Sequence, residues 1–95
     1  MKHHIIVKFT DGTDFHALEK PVWSIFEETL SIPGIHGLDI KLSNSDRQNR
    51  YDMMIVMEME KDALPAYDIS EAHLRWKSEY GSLIAKKAIF DCDDE

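Results

Sequence analysis

The chain is poor in the residues that build covalent or metal-held frameworks. It has a single cysteine, Cys92, in 95 residues. No internal disulfide can form from it, and no cysteine cluster can hold a metal. That residue reads as a small buried or tail thiol rather than a nucleophile. Prolines number three and glycines four, too few for a flexible linker or a low-complexity segment. No apolar run reaches the length of a membrane span or a secretory signal, and the opening MKHHIIVKFT is too short for either. A cytoplasmic protein with no membrane partner is expected. Positive charge is also scarce, at 11 basic against 18 acidic residues and a formal net charge of -7. A nucleic-acid face needs clustered cations to displace phosphate counterions, and this balance argues against one.

What is present suits one folded domain. Hydrophobic residues make up 43% and charged residues 31%, an ordinary globular balance. A chain this short buries a modest share of its surface, so help from a partner subunit is in keeping with its size.

Side-chain periodicity then divides the chain. Residues 2–9 alternate as a strand, with His3, Ile5, Val7 and Phe9 on one face. His3 and His4 therefore point to opposite sides and cannot share a metal. Asp11 to Asp14 is turn chemistry, with Asp14 a candidate helix cap. A short irregular turn over 14–18 should lead into a helix from about Glu19, with Pro21 in its first turn, ended by Ile32-Pro33-Gly34. His36 to Ser43 alternates as a second strand. The polar stretch 44–50 reads as a hairpin loop, and Tyr51 to Glu60 as the return strand. Tyr51, Met53, Ile55, Met57 and Met59 share one face of that strand, with Met54 and Val56 on the other. Apolar residues on both faces mark a central strand covered on both sides. Lys61 to Tyr67 reads as a short helical turn. Ser70 then caps a second helix with Ala72, His73, Trp76, Tyr80, Leu83 and Ile84 along its inner stripe. Gly81 weakens that helix. Lys87 to Cys92 forms a last strand before an acidic tail, 93–95, expected to fray.

The order β-α-β-β-α-β is the split βαβ pattern of ferredoxin-like α+β folds. One four-stranded antiparallel sheet carries both helices on one face. Its other face, with Met54 and Val56, is too apolar for water. Two such sheets packed face to face make a homodimeric α+β barrel, with Met54 or Val56 in the contact.

Five segments, in this order and spacing, resemble the stress-responsive dimeric α/β-barrel (Dabb) domain: HHIIVKF, SIPGIHGLDI, RYDMMIVMEME, AYDISEAHL and KKAIFD. The resemblance covers nearly the whole chain and implies a ferredoxin-like protomer that dimerises through its sheets. Of activity it implies little; one plant member closes a linear polyketide by aldol condensation without a cofactor. The functional residues of that member are a first-strand histidine, a tyrosine before the second main helix and a histidine within it. By motif position these match His3, Tyr67 and His73. Members often carry His-Pro where this chain has Ser70-Glu71.

The same three residues stand out on physical grounds. His3 faces the helix-covered side, His73 lies on the inner stripe of a covering helix, and Tyr67 precedes it by a little over one turn. They can converge on a pocket in which His73 acts as base and Tyr67 orients it or polarises a carbonyl. The structural alternative is a buried Tyr67–His73 hydrogen bond that anchors the helix start. The methionines and both tryptophans read as core packing, and His16 and His36 as surface residues. Two function classes follow. One is a binder or cofactor-independent acid–base enzyme for a small apolar or aromatic carbonyl compound. The other is a structural or stress-associated homo-oligomer without activity. A solvent-open pocket beside His73 favours the first, and a filled one the second.

Overall fold

The computed structural model describes residues 1–93; residues 94 and 95 of the expected acidic tail lie outside the described residues. Four strands form one antiparallel sheet: β1 (Lys2–Phe9), β2 (Ile35–Leu42), β3 (Met53–Met59) and β4 (Ile84–Cys92). Their order across the sheet is β2-β3-β1-β4, the ferredoxin-like arrangement. Within the single chain the sheet is open, with β2 and β4 at its edges.

Alternation decides which side is covered. Every second residue of β1, from His3 to Phe9, is buried, as are Met53, Ile55, Met57 and Met59 of β3. Helix α1 (Glu19–Glu27) lays Val22, Ile25 and Phe26 on this face. Pro21 stands in its first turn, where the missing N–H removes no helical bond. Helix α3 (Glu71–Tyr80) adds Ala72 and Trp76, and the Phe26 and Trp76 rings meet edge to face at 5.3 Å. Three buried methionines of β3 are thus core residues. No helix among the described residues is long and apolar enough to cross a membrane.

Several element ends differ from the sequence expectation, most at the start of β3 and between α3 and β4. Tyr51 is exposed and precedes β3. The adjoining Asp52 also precedes the strand; its carboxylate accepts the Phe9 N–H at 2.8 Å, while its backbone still bonds to Val7 and Ser43 on either side. Leu83 and Ile84 are not part of α3. The helix stops at Tyr80, Gly81–Leu83 forms a 3-10 turn, and Ile84 opens β4 opposite Phe9. Glycine is a weak helix former, and the Leu83 carbonyl is drawn to the Thr10 N–H at 2.8 Å. The last strand therefore begins three residues before Lys87.

Candidate active site

The site is built on the pairing of the first strand with the last. His3 lies opposite Asp91, Ile5 opposite Ile89 and Val7 opposite Lys87. These pairs share the helix-covered face, and the short helix α2 (Leu64–Asp68) and the start of α3 arch over them. A pocket of about 260 Å³ remains between, lined by residues that include His3, Ile5, Tyr67, His73, Trp76 and Lys87.

One serine joins the two covering helices. The Ser70 hydroxyl accepts the His73 backbone N–H at 3.2 Å and donates to the Tyr67 carbonyl at 2.7 Å. It caps α3 and closes α2 together, so the backbone relation between Tyr67 and His73 is fixed at a single atom. This cap stands at the first position of the Ser70-Glu71 pair.

Tyr67 is 1% exposed, and its ring packs between both histidines. Ring centroids are 5.6 Å from His3 and 4.7 Å from His73. Among the described residues its buried hydroxyl has no hydrogen-bond partner. Leaving such a group unpaired costs on the order of 1–3 kcal/mol. The contrast is Thr29, equally buried, whose hydroxyl donates to the Phe26 carbonyl at 2.6 Å. Burial, and after it the neighbouring Asp68 carboxylate, push the ionisation of Tyr67 well above the usual phenol range. The group stays a neutral O–H.

Both imidazoles are held through one nitrogen. His3 Nδ1 lies 2.5 Å from Asp91 Oδ1. His73 Nδ1 lies 2.8 Å from the Asp68 carbonyl. A carbonyl only accepts, so Nδ1 of His73 carries the proton, and Nε2 is the acceptor of the neutral ring. The Tyr67–His73 hydrogen bond weighed from sequence is not made. Their rings touch, but the Asp68 carbonyl at the end of α2 takes the nitrogen instead.

All three residues singled out from sequence therefore meet on one pocket. Sequence reasoning missed Asp68, Lys87 and Asp91, which line it as well. The alternation of Lys87, Ile89 and Asp91 was a signal for two of them, because an antiparallel neighbour of β1 must present one such face beside His3. His4 points to the other face, where Nδ1 is 3.0 Å from the Phe90 carbonyl. Among the described residues no group of three or more histidine, cysteine or acidic side chains is placed to hold a metal ion.

No protein-family profile matches the sequence, and no curated protein matches it. Solved structures do match in fold. A dimeric ferredoxin-like protein of unknown function from Thermobifida fusca superposes with a TM-score of 0.74 at 15% identity, over 94% of this chain and 85% of the other. A Dabb family protein from Mesorhizobium loti gives 0.70 at 14% identity, over 99% and 95%. A hydroxynitrile lyase from Passiflora edulis gives 0.69 at 9% identity, over 94% and 87%. The chain has the ferredoxin-like fold of these proteins, among them a Dabb family member.

Proposed function

We propose that this is a Dabb-type protein that binds, and converts by acid–base chemistry without a cofactor, a small apolar carbonyl-bearing molecule in the pocket between sheet and helices. The observation that carries this is the unpartnered Tyr67 hydroxyl, buried between two imidazoles and lining an open pocket. A carbonyl oxygen is the acceptor that this hydroxyl lacks.

The residues then take distinct roles. Tyr67 donates to the carbonyl oxygen. His73 Nε2 removes a proton from the adjacent carbon, and the electron pair of that C–H bond moves into an enolate stabilised by the phenol. Attack on a second carbonyl of the same molecule forms the new C–C bond, and the proton on His73 passes to the resulting alkoxide. His3, locked by Asp91, walls the opposite side of the phenol and presents Nε2 as a second acceptor.

We also propose that the chain works as a homodimer joined through its outer sheet face to form an α+β barrel. Met54, Ile6 and Ala88 lie side by side across that face, as do Val56, His4 and Phe90. Phe90 is 60% exposed there, and an apolar stripe of this kind calls for cover. Structures with this fold are described as dimeric.

A thermal-shift screen of carbonyl-bearing aromatics and polyketide-like acids tests the pocket, run on wild type, His73→Ala and Tyr67→Phe. His73→Ala should abolish turnover, or weaken binding of any ligand not turned over, while the protein stays folded. Ligand binding unchanged by His73→Ala would end the case for this site.

A further inference from the structure

The floor of the pocket is polar at its ends and apolar between them. Along β4 the residues on this face run Lys87, Ile89, Asp91, beside Val7, Ile5 and His3 of β1. Asp91 is engaged by His3. Lys87 is exposed and lines the pocket, yet its ammonium makes no hydrogen bond or ion pair with any described residue. It brings three donors and a full positive charge to the rim, not engaged by any described side chain.

The surrounding charge gives that position its meaning. The protein carries a formal net charge of -7, and the Asp68 and Asp91 carboxylates line the same cavity. An anionic group is repelled by both and welcomed only within reach of Lys87. Residues four apart on a strand lie roughly 13 Å apart, so Lys87 and the His3–Asp91 pair occupy opposite ends of the floor.

We propose that Lys87 anchors a carboxylate, and that the ligands of this pocket are oxo acids. The carboxylate sits at Lys87, the apolar middle lies over Ile5 and Ile89, and the carbonyl meets Tyr67. This rests on the pocket assignment above and narrows its ligand class, because an ester or amide of the same shape has nothing for the lysine to hold.

Calorimetric titration decides it, with para-acetylbenzoate, its methyl ester and the shorter levulinate as probes. Wild type should bind the better-fitting acid about tenfold more tightly than the ester, the scale of one charge-assisted contact in a half-open site. Lys87→Met should remove that preference and leave ester affinity unchanged. Lys87→Glu should reject the acids and still take the ester. Tyr67→Phe should weaken acid and ester alike. Equal affinity for acid and ester in wild type, or acid binding indifferent to Lys87→Met, overturns the anchor, and the pocket assignment survives if Tyr67→Phe still weakens both. Failure of wild type to bind any of the three probes overturns both.

Discussion

Tyr67 is the residue where stability and the proposed function pull in opposite directions. Its ring fills the space between His3 and His73, and its hydroxyl adds a buried donor with no acceptor. Tyr67→Phe keeps the ring and removes the orphaned group. Stability in urea should stay level or rise by up to about 1 kcal/mol, while the thermal shift given by a carbonyl ligand falls. A drop of more than that amount on removal would mean that the hydroxyl is satisfied in solution. The pH response has a definite sign. The folded state holds the phenol protonated beyond its ordinary range, so the associated stability is whole below about pH 10 and declines as pH rises further. Urea midpoints followed upward through that region should fall more steeply for wild type than for Tyr67→Phe.

At the scale of elements, local sequence signals and long-range pairing contributed unequally. Strand faces were legible because alternation survives in any register, and the α3 start was legible because Ser70 is a strong capping residue. The ends of elements were less so. Nothing local to Gly81–Leu83 announces that Thr10, far away in sequence, will take the Leu83 carbonyl. The same limit hid half the site. His3, Tyr67 and His73 were legible from face and motif position, whereas the partnership of His3 with Asp91 depends on the β1–β4 register, which no local pattern prints. Two substitutions probe the element ends. Ser70→Ala removes the cap of α3 and should cost about 1 kcal/mol in chemical denaturation, with Ser70→Asp recovering most of it. Ligand affinity should fall with it, since Ser70 links the backbones at Tyr67 and His73. Gly34 turns the chain into β2 at φ +95°, and a Cβ there would stand 3.0 Å from that of Ala63. Gly34→Ala should therefore cost on the order of 1–3 kcal/mol through backbone strain and the close contact together, read as a lowered melting temperature.

For the whole molecule, the two faces of the sheet make different demands. The helix-covered face is packed under α1 and α3 except at the pocket, and the other carries Met54, Val56 and Phe90 without cover from an element of the described residues. Sedimentation equilibrium at micromolar concentration should give a dimer. Val56→Glu should shift it to monomer or unfold it, because a charge without a partner would be buried between sheets. A wild-type monomer under those conditions would refute the barrel.

The His3–Asp91 contact joins residues 88 positions apart, and β1 lies between β3 and β4 in the sheet. During synthesis the first strand thus waits for both of its neighbours, and the last of them closes the site. Until β4 has been added, a growing chain has neither the carboxylate that holds His3 nor the lysine at the far rim. Pairing across so long a loop is slow to nucleate. Any product cut short before β4 leaves an edge of β1 open to foreign strands. A chain cut short of β4 is marked by an exposed β1 edge that quality-control proteases and chaperones can engage.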